Sequence, residues 1–206
     1  MTARIDFKHL PSRRGDPPWE AVELFPKQGE WTEAQYMALI ERRGIEYADG
    51  VLEVLPMPTD MHQAILQFLF LALDKFVEKH RLGKTRFSGS RIKVAQAKYR
   101  EPDILFVLTK HKQWISQNCW SSADLVMEVV TSPEGRRRDI KVKRAEYETA
   151  GIPEYWIVDP QKETITVLKL DGDKYIEHGC FKKGQRADSV LLKGFGVDVS
   201  AVLNAD

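Results

Sequence analysis

Apolar positions recur along this chain with two different periods. Between Thr59 and Gly83, residues His62, Ile65, Leu66, Leu69, Leu73 and Phe76 fall on one face at helical spacing, which predicts a long amphipathic helix stopped by Gly83. Arg91 to Ala95, Pro102 to Leu108, Asp124 to Val130 and Glu154 to Val158 read instead as strands, rich in Val, Ile, Leu and aromatic residues. A polar loop holding Trp114 and Trp120 divides the second of these from the third, and those two tryptophans, with Tyr155 and Trp156, are expected to serve the core or an interface. Ahead of the long helix, Thr32 and Gln35 form the pattern of a capping box, predicting a helix over Trp31 to Arg43 that Gly44 ends. A hairpin is expected next, Ile45 to Ala48 and Val51 to Leu55 across an Asp49-Gly50 turn. Asp139 to Ala150 predicts a short helix closed by Gly151 and Pro153, and Thr164 to Leu170 with Lys174 to Phe181 predicts a second hairpin. This order implies an α/β or α+β fold: a central mixed β-sheet flanked by α-helices, with a C-terminal β-hairpin.

Residues 1 to 30 carry Pro11, Pro17, Pro18 and Pro26, which break regular elements, and read as an N-terminal arm able to dock through Trp19 and Phe25. Residues 31 to 206 read as one domain, and 43% hydrophobic content suffices for a sizeable core. The formal net charge of +1 lacks the global basicity that announces nucleic-acid binding, so a polyanion site has to be a local patch. Cys119 and Cys180 stand far apart without metal-ligand spacing, which speaks against a zinc site or disulfide framework and for a reducing, cytoplasmic setting. The first residues show no apolar signal core and the run Ile65 to Leu73 is too short to span a bilayer, so neither export nor membrane insertion is expected.

The chemistry begins with Glu128, a lone carboxylate in an otherwise apolar strand. Leaving such a group buried and unpaired costs several kcal/mol, so a metal ion or a lysine is expected to compensate it. Asp103 follows Pro102 at a strand mouth; by alternation it shares a face with Leu105 and Val107, as Glu128 does with Val126 and Val130. If the two strands are neighbours, the carboxylates face each other at one end of a sheet, an arrangement that suits Mg²⁺ and phosphodiester hydrolysis. Lys143 lies on the apolar stripe Ile140, Lys143, Tyr147, Ala150, not on the face of Lys141, Arg144 and Glu148, and so needs an anionic partner. It can orient or deprotonate water, or hold a phosphate. Arg136, Arg137, Arg138, Lys141, Lys143 and Arg144 place six basic residues in nine beside this pair, suited to a polyanionic substrate. His62 and Glu46 can reach the same place.

Plainer explanations compete with each of these. A strand-end aspartate is often a cap, a lysine can pair with Asp139 at i,i+4, and a histidine on an apolar face is usually a satisfied core residue. A hairpin glutamate usually points to water, and an arginine run is often only a solvated face.

Taken together, Pro102-Asp103, Glu128, the segment SPEGRRRD over 132 to 139, Lys143, Tyr147 and AGIPEYWIVDP over 150 to 160 resemble the Uma2 family of the PD-(D/E)XK nuclease-like superfamily. Glu46-Tyr47-Ala48-Asp49-Gly50 matches that family's E-x-x-D-G hairpin and His62 its helix-start histidine. The resemblance spans most of residues 30 to 205 and implies a restriction-endonuclease-like core with a Mg²⁺-dependent site, Mn²⁺ able to substitute. Asp103 and Glu128 are the implied metal ligands, with Lys143, Glu46 and His62 completing the catalytic set. Val130 stands where the superfamily's strand lysine usually follows the acid, and the resemblance implies that Lys143 on the following helix has taken over that position. Glu134-Gly135 also departs from the Ser-Thr common in relatives after Ser-Pro.

The leading expectation is a metal-dependent endonuclease acting on DNA, with Arg136, Arg137, Arg138 and Lys141 on the nucleic-acid backbone and a homodimer supplying two sites for two strands. A catalytically silent nuclease-fold module that binds nucleic acid or a protein is the alternative, distinguished by binding that needs no metal. A third reading makes Asp103 and Glu128 a glycosidase acid and base, distinguished by independence from Mg²⁺.

Overall fold

The computed structural model describes residues 25–39, 44–130 and 136–206. Trp19, the far end of the predicted first helix at 40–43 and residues 131–135 lie outside the described residues. Helix α1 (Glu33–Ala38) opens on the predicted capping box: the Thr32 side chain accepts from the Gln35 amide, and the Gln35 side chain accepts from the Thr32 amide. It is shorter than the pattern suggested, because Leu39 already leaves the helical region at ψ 129°. Strands β1 (Ile45–Ala48) and β2 (Val51–Val54) form the expected hairpin, with Asp49 and Gly50 both at positive φ.

Helix α2 (Asp60–His80) starts from Thr59, whose side chain accepts the His62 amide. Its stop differs from expectation. Arg81 takes the left-handed conformation at φ 54° and ends the helix, while Gly83 opens β3 (Gly83–Phe87), a strand that the pattern did not reveal. Gly83 is needed for another reason: a Cβ there would lie 1.9 Å from the carbonyl oxygen of Val107 on the neighbouring strand. Strands β4 (Ile92–Ala95), β5 (Lys98–Arg100), β6 (Ile104–Leu108) and β7 (Leu125–Val129) follow, β5 being too short to show a period. Next come a π-helical turn, Arg138–Lys143, running into α3 (Arg144–Thr149), then β8 (Glu154–Asp159) and the hairpin β9 (Thr164–Asp171) and β10 (Lys174–Lys182). Strands β11 (Arg186–Asp188) and β12 (Gly196–Asp198) and helix α4 (Val199–Leu203) close the fold.

The central sheet has the order β10-β9-β8-β7-β6-β3, with β7 and β8 parallel and every other neighbour antiparallel. On one face α2 and α4 bury Ile65, Leu69, Leu73 and Val199 against Phe106, Met127, Trp156 and Val167. On the other, Tyr147 of α3 packs with Leu105, Val126, Val130 and Tyr155, joined by Ile92 and Trp120. A parallel pair requires a crossover, and here the crossover is the π-helical turn and α3, laid over the face toward which Glu128 points. The smaller sheet, β2-β1-β5-β4, pairs Tyr47 with Tyr99 and is packed by Trp31 and Tyr36. Phe25 stacks on Trp31 and the Gly29 amide donates to Gly50, so the last residues of the predicted arm lie against this hairpin. Because β5 runs through Glu101 and Pro102 into Asp103 and β6, the two sheets meet at residues 100–103.

Gly83→Ala is expected to lower stability by about 1–3 kcal/mol, the usual range for forced overpacking, seen as a lower urea midpoint at unchanged slope. Unchanged stability would show that β3 and β6 do not need this close approach.

Candidate active site

Antiparallel pairing of β6 with β7 matches Ile104 to Met127 and Leu105 to Val126, so continuing the register sets Asp103 opposite Glu128. The condition on which the carboxylate pair rested is therefore met: the strands are neighbours and both acids lie on the α3 side. Asp103 is fastened there by the Val129 amide, which donates to its Oδ2 at 2.7 Å, and by His62 Nε2 at 3.2 Å from the start of α2. The other His62 nitrogen, Nδ1, is buried without a partner. Burial disfavours the charged ring, but the hydrogen bond and charge of Asp103 outweigh it and raise the His62 pKa above its ordinary value.

Lys143 is the centre of the cluster. Its Nζ lies 2.8 Å from Glu128 Oε1 and 3.0 Å from Glu46 Oε1, with 1% of its side chain exposed. Burial alone would favour the neutral amine; Glu128 and Glu46 more than reverse this and push the pKa upward, so Lys143 is an ammonium. The Tyr147 hydroxyl, one turn further along, donates to the same Glu128 oxygen at 2.7 Å. The i,i+4 partner suggested by the plainer explanation, Asp139, is 3.8 Å from Nζ, the longest of the three carboxylate distances.

Glu46 does not point to water. It is fully buried; the Glu101 amide donates to Oε1 at 3.0 Å and Arg100 to Oε2 at 3.3 Å. Arg100 is itself gripped by Glu146 of α3 through bonds of 2.6 and 2.7 Å. Burial raises the Glu46 pKa, yet Lys143, Arg100 and the Glu101 amide together bring it below the ordinary carboxylate value. Glu128 goes the other way. Burial, reinforced by Asp139, Asp103 and Glu46, outweighs Lys143 and pushes it up to about 8.

Exposure falls inward, from 18% for the Asp103 side chain to 4% for Glu128 and 1% for Lys143, so the cluster is open to solvent on the Asp103 side. Val130 is buried in the second core, and the ammonium beside Glu128 comes from the helix. Tyr147, Asp139, Arg100 and Glu146 were not in the predicted site. Tyr147 lies on the same stripe as Lys143, a signal that was available, whereas nothing local marks Arg100 or Glu146.

The basic cluster divides. Arg136 forms a two-pronged pair with Asp159, and Arg138 donates to Glu53 at 3.0 Å, so the guanidinium groups expected to meet a phosphate backbone are committed to the protein's own acids. Arg137 and Lys141 are exposed. Burial by itself does not identify a functional acid either. Glu154 is fully buried and accepts from Trp156 Nε1, Ser189 Oγ and the Val190 and Leu191 amides, all within 2.8 Å, which satisfies both of its oxygens and anchors the segment after β11.

Among the described residues no three His, Cys, Asp or Glu side chains converge on one metal position. What is present is the pair Asp103 and Glu128, flanked by Asp139, whose Oδ1 is buried without a hydrogen bond. An excess of carboxylate oxygen around a strongly raised Glu128 fits a hard divalent cation, since Mg²⁺ needs only one or two carboxylates and keeps its own waters. No helix among the described residues is long and apolar enough to cross a membrane.

A family model, Uma2, described as "Putative restriction endonuclease", matches residues 33–200. The fold is similar to the crystal structure of a "putative nuclease belonging to DUF820" from Anabaena variabilis ATCC 29413. That match has a TM-score of 0.71 at 16% identity and covers 84% of this chain and 97% of that one. No curated protein sequence matches the chain.

With a folded pKa near 8 against an ordinary carboxylate value of 4.5, Glu128 binds its proton more tightly in the folded state than in the unfolded one. Stability is therefore lost as pH rises from about 4.5 toward 8. The metal-free chain should show a thermal midpoint falling across this window more steeply than that of Glu128→Gln; parallel curves would mean that Glu128 does not titrate there.

Proposed function

Since the chain belongs to the Uma2 family, we propose that it is a metal-dependent endonuclease that hydrolyses phosphodiester bonds in DNA, with its active site at the junction of the two sheets. The observation that carries this reading is the cluster of buried Glu128, Glu46 and Lys143 with the partly exposed Asp103, in which separate strands and a helix bring acids and one ammonium to a partly open sheet end. Asp103 and Glu128 would hold Mg²⁺, or Mn²⁺ in its place. The bound ion would supply a water of lowered pKa and neutralise charge growing on the phosphate.

The chain's own residues have separate tasks. Lys143, held as an ammonium, cannot take a proton from water in this state; it holds Glu128 in place and offers a fixed positive charge near the reacting phosphate. Glu46 has both oxygens engaged and positions Lys143, while His62 positions Asp103. Arg137 and Lys141, exposed beside the site, would hold the nucleic-acid backbone through sequence-independent contacts. A homodimer would supply one site for each strand of a duplex.

One observation favours the catalytically silent alternative: Glu128 and Glu46 already accept hydrogen bonds from Lys143, Tyr147 and Arg100 within the protein. DNA binding that weakens with salt, needs no metal and survives Glu128→Gln would identify such a binding module.

The direct test incubates the chain with supercoiled plasmid, single-stranded DNA and RNA in Mg²⁺, Mn²⁺ or EDTA. Cleavage of DNA with either metal is expected, with at least a hundredfold loss in Asp103→Asn, loss of one charge-stabilising group costing on the order of 10²–10³; full activity in that variant would remove Asp103 from the site. At limiting metal, cleavage should rise about tenfold from pH 7 to 9 as a carboxyl titrating near 8 gives up its proton. A flat profile would exclude Glu128 as the controlling group.

A further inference from the structure

Among the described residues, one buried carboxylate oxygen has no hydrogen-bond partner. Asp139 is 3% exposed, and its Oδ1 is enclosed without any hydrogen bond. The two nearest cationic nitrogens, Arg138 Nε at 3.6 Å and Lys143 Nζ at 3.8 Å, are both beyond hydrogen-bond reach, and Arg138 Nε is itself without a partner. This oxygen faces the cluster, because the Lys143 nitrogen that it approaches is the one touching Glu128 and Glu46.

Its surroundings make the arrangement unfavourable. Burial, and then the neighbouring Asp103 and Glu46, raise the Asp139 pKa despite Lys143 and Arg138. The backbone spends regularity to hold it there: Asp139 and Lys143 lie in the π-helical turn Arg138–Lys143, and the Asp139 carbonyl accepts from the buried Tyr155 hydroxyl at 3.0 Å. π-Turns inside helices are rare and frequent at functional sites. Compare Glu154, equally buried, whose oxygens meet four donors. A carboxylate serving only the fold is satisfied by the fold, whereas Asp139 keeps an acceptor open.

We propose that Asp139 is a third carboxylate of the cation site, its Oδ1 accepting a hydrogen bond from a water in the hydration shell of the ion held by Asp103 and Glu128. This inference rests on the nuclease reading. It accounts for the open acceptor, since a group acting through water stands outside the ion's own coordination sphere. Mg²⁺ and Mn²⁺ retain water in such sites, and groups that hold those waters set affinity without touching the metal.

The test measures Mn²⁺ binding to the full chain by electron paramagnetic resonance, with thermal midpoints of the metal-free proteins recorded in parallel. Asp139→Asn, and Asp139→Ser as a smaller replacement, should weaken Mn²⁺ binding by about 10- to 100-fold, the range for groups behind a metal's first ligands, while the metal-free midpoint stays the same or rises. Affinity within twofold of the unaltered chain would overturn the proposal. So would a lowered metal-free midpoint in both variants, which would make Asp139 a structural ion-pair partner of Lys143 and Arg138. If the unaltered chain binds no Mn²⁺, the nuclease reading fails and this inference with it; binding that is lost in Asp103→Asn but insensitive to both Asp139 variants overturns this inference alone.

Discussion

Everything at the sheet end depends on one buried ammonium. Lys143 ties its own helix to β7 through Glu128 and to β1 through Glu46, so three separate segments share a single positive charge. Removing this shared cation leaves buried Glu46 without its closest cationic partner, a loss of the kind that costs about 3–5 kcal/mol, more than most single contacts in a domain of this size. The small sheet, the central sheet and the crossover helix are thereby held in register by an electrostatic requirement as well as by their apolar faces.

That requirement is incompletely met, and the shortfall is where chemistry can occur. Lys143 and Arg100 suffice for Glu46, which stays readily ionised, but not for Glu128, which burial and three neighbouring acids push up to about 8. A cluster that keeps an acid poised near neutral pH and leaves a buried acceptor open is less stable than an apolar core of the same volume. Glu154 shows that this chain also satisfies a buried glutamate fully where no chemistry is needed. The contrast between the two strand glutamates lies in their donors, not in their burial.

Support around the cluster is layered. Arg100 links Glu46 to Glu146, so helix α3 is clamped to β5 three residues from Lys143 and one from Tyr147. His62 and the Val129 amide do the same for Asp103 from the opposite layer and from the strand itself. Lys143 is thus fixed by contacts that reach it from two sheets.

The sequence by itself determined what local rules govern. Periodicity located the long helix, the hairpins and the strands; turn residues marked their joints; and a lone acid in an apolar strand with a lysine on an apolar helix stripe pointed to Glu128 and Lys143. These signals are readable because each is a relation between residues a few positions apart. Strand β5 escapes a periodic reading because it has three residues, β3 because Thr85 is its one buried position, and Gly83 does not act as the stop of α2 because it answers to a strand 24 residues away. Only the tertiary structure decided that Glu46 is buried and not solvated, that Arg136 and Arg138 are spent on Asp159 and Glu53, and that Arg100 and Asp139 belong to the cluster. Charge compensation acts through space, and which acid meets which base is fixed by how the crossover helix lies across two sheets.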